Sequence, residues 1–165
     1  MSPREGHLIQ VYWGFAYLKQ FNRPVVVFDD SEPKISSDNL NVCDWTSIYP
    51  DAKEQIPPDA PEPLGHSVVT TCYVDADHAG CQVTCQSHTG ILIHINCAPI
   101  VWYSKHQNTV EASSFSSEYI ALKIAVELIE SLWYKLRMFG IPVCCRTMCL
   151  SQFLLFTCVG RLLCL

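Results

Sequence analysis

The segment YVDADHAG, residues 73 to 80, ends a run of β-forming residues that begins at Val68. Valine, threonine and tyrosine favour strands, so we expect a strand over residues 68–75 that closes at the aspartates. Asp75 and Asp77 lie two residues apart. Their carboxylates suit either a hard cation or the polar turn that ends a strand. On these residues alone, the turn is the simpler interpretation.

Further secondary structure is predicted downstream of this segment. TGILIHIN (89–96) alternates apolar and other residues, and APIVWYSK (98–105) is a second β-rich run. The short links favour an antiparallel meander of three strands. Over residues 113–138 the apolar period becomes helical, and a fourth strand is expected over residues 148–156. The fold class is therefore α/β, an α+β mixed sheet.

The chain before residue 68 divides into two predicted segments. Residues 1–30 combine a helix over residues 7–21 with a short strand over residues 25–28. Six prolines punctuate residues 31–67, which predicts a linker or an irregular wrapping segment. Residues 68–143 then form the predicted core.

Composition limits the function classes. The 165 residues are 49% hydrophobic and 16% charged, which permits a packed core, and the net charge of −5 supplies no general attraction to nucleic acid. Residues 144–165 form a divergent apolar tail with half of the ten cysteines and no acidic residue. That tail is too short and interrupted to predict a membrane span, and the N-terminus lacks a signal-peptide pattern.

The cysteines do not follow the usual spacing of a zinc site. Cys81 and Cys85 are separated by three residues, as are Cys145 and Cys149. Structural zinc sites usually combine two closely spaced pairs with defined partners. We therefore expect reduced thiols, and a thiol-rich metal-binding protein stays as one alternative.

Glu118 falls in the first turns of the predicted long helix, and Asp75 ends the first strand. A helix packed across the sheet can bring the two carboxylates together, which would make an oxygen site for Mg²⁺. Two such ions would activate a water for phosphodiester cleavage. In the competing interpretation, Glu118 only complements the helix dipole.

Four motifs follow one another in the core. They are DADHAG (75–80), SHTG (87–90), PIVWYSKHQ (99–107) and SSEYIA (116–121). In this order and spacing they resemble the ribonuclease H domain of copia-type (LTR) retrotransposon Pol polyproteins, over about residues 68–143. The N-terminal helix also resembles the helix that joins the reverse transcriptase to this domain.

The resemblance implies a ribonuclease H-like fold, a five-stranded mixed sheet flanked by helices. It implies hydrolysis of the RNA strand of RNA–DNA hybrids during reverse transcription, with two Mg²⁺ (or Mn²⁺) ions. Asp75 and Glu118 match the catalytic, metal-binding acids, and Asp77 belongs to the same motif as a further candidate ligand. Lys105 and His106 are the basic residues left to contact nucleic acid. His78 matches a position that packs.

The implied partners are an RNA–DNA hybrid and the upstream reverse transcriptase domain, with no membrane. The implied location is the cytoplasm, in a virus-like particle, or the nucleus, and the protein is not expected to be secreted. The sequence does not indicate an oligomeric state.

The sequence departs from the family pattern after the long helix. Leu150 and Ser151 stand where an Asp-Asn pair is expected, and no acidic residue follows Glu130. We therefore expect a fold that is incomplete at a truncated or frameshifted C-terminus, and enzymatic activity is left open. The alternatives are an impaired hydrolase and an inactive, decayed or repurposed module that binds nucleic acid or protein.

Overall fold

A computed structural model describes residues 5–23, 25–34, 56–150 and 155–159. The helices and strands are α1 (Glu5–Gln20), β1 (Val68–Asp77), β2 (His88–Ile95), β3 (Ala98–His106), α2 (Ser114–Met138), β4 (Val143–Leu150) and β5 (Leu155–Val159). Of the side chains in β4 only that of Val143 is described, and of those in β5 none is. No helix in these ranges is long and apolar enough to cross a membrane.

The strands form one five-stranded sheet in the order β3-β2-β1-β4-β5, with β1 at its centre. β1, β2 and β3 pair antiparallel, as do β4 and β5, whereas β1 and β4 are parallel. A parallel pair needs a crossover connection, and α2 lies within it. The predicted mixed α/β class and the antiparallel meander are both confirmed.

The core lies between α2 and one face of the sheet. Buried apolar residues recur along one side of α2, and they pack on alternate residues of β1 and β2. The residues on α2 are Ala121, Ala125, Ile129, Trp133 and Leu136, and those on the strands are Cys72, Val74, Ile91 and Ile93. Trp133 Nε1 donates to Thr70 Oγ1 at 3.1 Å, so the largest core side chain is also satisfied as a donor.

The other face of these strands is exposed. Tyr73, Leu92 and Trp102 lie opposite one another across β1, β2 and β3, and 45%, 36% and 71% of their surfaces are accessible. We call this surface the open face. The same alternation that buries Val74 and Ile93 places these residues on it.

The β2–β3 hairpin anchors the chain that precedes the sheet. Asn96 and Cys97 form its turn, and Asn96 has a positive φ of 54°, a conformation that asparagine adopts more readily than most residues. The Asn96 side chain donates to the Asp30 carbonyl at 2.9 Å, and the Cys97 N–H donates to the Ser31 carbonyl at 3.1 Å. Residues 30 and 31 are thereby held at one end of the sheet.

Two sequence expectations are wrong in detail. Residues 25–28 form no strand and are exposed, because β-forming residues need a neighbouring strand to pair with. The fourth strand expected over residues 148–156 is instead the end of β4 and the start of β5. No glycine or proline occurs between Leu150 and Leu155, so the strongest turn signals are missing from the sequence at this boundary. The sheet therefore extends past residue 143 into the tail.

Candidate carboxylate site

Glu118 joins the start of α2 to the end of β1. Its side chain is only 4% exposed, and Oε1 accepts from the Ala76 N–H at 3.3 Å. Oε2 is buried and has no hydrogen-bond partner. A buried polar atom without a partner costs free energy, so this oxygen is available to a ligand that brings a positive charge or a donor.

Asp75 precedes Ala76 in β1 and is exposed, on the same side of the strand as Tyr73. Burial raises the pKa of Glu118 above its ordinary value, and the negative charge of Asp75 adds to this, while the Ala76 N–H opposes it. Burial and Asp75 both raise the pKa because a negative charge on the Glu118 carboxylate is unfavourable at the end of β1. A cation placed here would relieve both effects.

The side chain of Asp77 forms a hydrogen bond across the β1–β2 loop. Its carboxylate accepts from the His88 N–H, and a Cβ added at Gly80 would collide with Asp77 Oδ2. A larger residue at position 80 would therefore force the Asp77 carboxylate to move. The polar-turn interpretation holds for Asp77, and its role as a metal ligand stays a prediction.

His78 is exposed, so the packing role expected for it is wrong. The chain leaves the sheet after Asp77, and Ala79 adopts a φ of 52° in the bend that follows. This departure turns the backbone away from the core before the His78 side chain can pack against it.

A buried polar network supports the start of α2. Gln107 Nε2 donates to Thr89 Oγ1 at 3.0 Å and to the Ser117 carbonyl at 2.8 Å. The Gln107 N–H donates to the Ser87 carbonyl at 2.8 Å, and Ser87 Oγ accepts from the Ala79 N–H at 3.1 Å. The network ties three strand ends to the turn of α2 that carries Glu118.

Four residues of this network stand inside the motifs SHTG, PIVWYSKHQ and SSEYIA, and the sequence predicts no individual role for them. They are Ser87, Thr89, Gln107 and Ser117. The available signal was that these motifs fall at the start of β2, the end of β3 and the start of α2. Residues at these positions meet when an antiparallel meander and a following helix share one end of the sheet.

Lys105 and His106 lie at the same end of the sheet as the aspartates. Both are exposed, and Lys105 Nζ lies 5.5 Å from the centre of the Tyr103 ring. The rings of His106 and His88 are 4.6 Å apart, edge to face, and His88 pairs in turn with Asp77 across β1. The residues predicted to contact nucleic acid and those predicted to bind metal thus share one end of the sheet.

β4 adds no carboxylate to this end. It lies beside β1, and Leu150 pairs with Tyr73, two residues before Asp75. Ser151, the second residue expected at the position of the missing acid, lies outside the described residues. Within the described ranges, no group of three or more His, Cys, Asp or Glu side chains lies close enough to hold a metal ion.

Comparison with known proteins gives partial similarities, among them the following two. A segment of 65 residues is 40% identical to the secreted RxLR effector protein 161 of Plasmopara viticola. The segment covers 39% of this chain and 44% of that protein. A segment of 57 residues is 44% identical to an uncharacterized mitochondrial protein of Arabidopsis thaliana. This segment covers 34% of this chain and 24% of that protein. The chain therefore spans less than half the length of these curated relatives. No family model and no solved structure matches it significantly.

Proposed function

We propose that the chain is a ribonuclease H-like domain of retrotransposon origin whose hydrolytic site is impaired. The observation that carries the proposal is the position of Glu118, which α2 brings to the end of the central strand beside Asp75. The central strand and the parallel β1–β4 pair agree with a five-stranded mixed sheet. The partial similarity to the Arabidopsis protein fits a retrotransposon origin.

At the end of β1, Glu118 and Asp75 would together hold one hydrated Mg²⁺ or Mn²⁺ ion. Glu118 contributes its unpartnered Oε2 and Asp75 an exposed carboxylate, and magnesium is commonly held by one or two carboxylates with waters completing its shell. When bound, such an ion polarises a phosphodiester and acidifies a water. The Ala76 N–H and the Gln107 network hold Glu118 in place for this role.

A second ion lacks its ligand. The strand beside β1 carries Leu150 next to the site, and no acidic residue occurs after Glu130. Removal of one electrostatic element from a catalytic site commonly lowers the rate by about 10² to 10³. We therefore expect slow hydrolysis of the RNA strand of a hybrid.

Contact with the hybrid would fall on Lys105 and His106. The net charge of −5 gives the chain no general attraction for a polyanion, so a local cation at the carboxylate end has to supply the phosphate contact. Lys105 is exposed there at the end of β3. The reverse transcriptase of such polyproteins is the proposed partner of α1, whose apolar side chains, among them Trp13 and Phe15, are exposed.

The proposal is tested by cleavage of end-labelled RNA annealed to DNA, with and without Mg²⁺ or Mn²⁺. We expect slow, metal-dependent cleavage that Asp75→Asn and Glu118→Gln both abolish. Glu130→Gln, an exposed carboxylate on the same helix, is the matched control and should keep the rate. A wild-type protein that leaves the hybrid intact with either metal contradicts the hydrolase.

The absence of a third acid favours a second candidate, an inactive module that binds the hybrid. Fluorescence anisotropy of a labelled hybrid in Ca²⁺ separates the two candidates. Binding that Lys105→Ala reduces, without cleavage in Mg²⁺ or Mn²⁺, supports the module. Binding that is unchanged by Lys105→Ala removes this surface from both candidates. No observation on the described residues favours the third alternative, a thiol-rich metal-binding protein.

A further inference from the structure

The β1–β2 loop holds two cysteines in one turn. The Cys85 N–H donates to the Cys81 carbonyl at 2.7 Å, and the Cys81 N–H donates to the Gln86 carbonyl at 3.2 Å. A bond between residues four apart closes a single turn, and Cys85 ends this turn with a left-handed φ of 55°. In a regular helical turn, Cα atoms four residues apart are separated by roughly 6 Å. Disulfides bridge Cα atoms at separations of about 4.4 to 6.8 Å. The hydrogen bond therefore keeps the backbones of the two residues close together, as a disulfide between them requires.

The two thiols differ in their surroundings. Cys85 is exposed and Cys81 is partly exposed, and both are free. The hydroxyl and N–H of Thr84, together with the Val83 N–H, lower the pKa of the Cys81 thiol, and burial and the charge of Asp77 oppose them in part. Hydrogen bonds to the sulfur favour the thiolate, which is the nucleophilic form.

We propose that Cys81 and Cys85 form a redox couple that exchanges with small-molecule disulfides. The Cys81 thiolate attacks one sulfur of the disulfide, forms a mixed disulfide and expels one thiolate. The Cys85 thiolate then attacks Cys81 Sγ, closes the Cys81–Cys85 bond and expels the second. Two electrons pass from the cysteine pair to the small disulfide, and the two cysteine protons end on the released thiols. The exchange is independent of any nuclease activity.

The couple would act on the loop that carries Asp77. Gly80 lies against the Asp77 carboxylate, and the Ala79 N–H donates to Ser87 Oγ on the far side of the turn. A covalent bond between Cys81 and Cys85 ties the two ends of that turn together. Oxidation is therefore expected to stiffen the connection between β1 and β2 without reaching the α2 core.

The experiment uses the full chain in a buffer of reduced and oxidised glutathione, followed by acid quenching, alkylation and mass mapping. Cleavage before Asp77 and after Lys105 releases one peptide with Cys81, Cys85 and Cys97. We expect this peptide to lose two hydrogens through a Cys81–Cys85 bond, with Cys97 alkylated as the internal control. In reducing buffer, timed iodoacetamide labelling should modify Cys81 about threefold faster than Cys85 or Cys97.

Two variants separate the roles of the thiols. Cys85→Ser should accumulate glutathione on Cys81, because no second thiol resolves the mixed disulfide. Cys81→Ser should leave Cys85 mostly unmodified over the same time. Circular dichroism of both variants confirms that they fold. A bond that instead joins Cys97 to either residue, or a Cys85→Ser protein without the mixed disulfide, overturns the proposal.

Discussion

The two faces of the three-stranded meander are built from alternate residues of the same strands, yet they have opposite surroundings. Val74 and Ile93 are buried under α2, whereas Tyr73, Leu92 and Trp102 lie on the open face. Strand alternation predicts that the faces differ, and it does not say which face a helix will cover. The stripe on α2 and the position of the crossover decide that.

The largest expected difference in stability between the two faces concerns the two tryptophans. Trp133→Ala removes a buried ring and leaves Thr70 without its donor, so we expect a loss of about 3–5 kcal/mol in the free energy of unfolding. Trp102→Ala removes a ring of the same size from the open face and should change stability by less than about 0.5 kcal/mol. Urea denaturation of both variants gives the two values. Equal losses would mean that the open face is covered in solution.

A smaller loss of stability is expected from the polar network that supports the start of α2. Gln107→Leu removes the donor to Thr89 and to the Ser117 carbonyl and should cost about 1–3 kcal/mol. Gln82→Leu, an exposed glutamine in the β1–β2 loop, is the matched control. Hydrogen exchange should show that the loss in Gln107→Leu is concentrated in the first turns of α2. Uniform destabilisation of the sheet would argue against a local anchor.

The smallest expected effect is a pH dependence of the free energy of unfolding. It comes from Glu118, which is buried at the start of α2, and exposed Glu130 on the same helix is the control. Because the pKa of Glu118 is raised in the folded chain, the folded state holds its proton at pH values where the unfolded chain has lost it. Stability from this residue therefore falls as pH rises from the ordinary value of 4.5 through the raised value.

Glu118→Gln should remove this fall in denaturation curves measured across that range, and Glu130→Gln should keep it. Added Mg²⁺ should restore stability to the wild type above the raised pKa and leave Glu118→Gln unchanged. A Glu118→Gln protein with the pH dependence of the wild type would show that the carboxylate is not held in the buried position.

The sequence predicted the parts of the fold whose periodicity matches their burial. β2 alternates, α2 repeats with a helical period, and both were expected within a few residues. The segment at residues 25–28 has β-forming residues but no partner strand, which local sequence cannot reveal. The boundary between β4 and β5 contains no glycine or proline, and the sequence does not predict it.

The candidate site was predicted to a similar extent. The approach of Glu118 to the end of β1 was expected, because a strand end and a helix start were placed at one end of the sheet. The sequence predicts a polar turn at the aspartates, but it predicts neither that the His88 N–H is the partner of Asp77 nor that Gln107 is buried. Both depend on side-chain directions that are set by tertiary packing, and neither has a periodic signature.

The single parallel pairing in the sheet has a kinetic consequence. The meander β1–β2–β3 joins strands that are close in sequence, whereas β4 reaches β1 only after the chain has passed through α2. Contacts between distant parts of a chain form slowly, so the β4–β5 hairpin is expected to dock last. Until it docks, one side of β1 offers unpaired N–H and carbonyl groups to a second chain. Several ribosomes that translate one messenger RNA would bring such sides of neighbouring nascent chains into reach of one another.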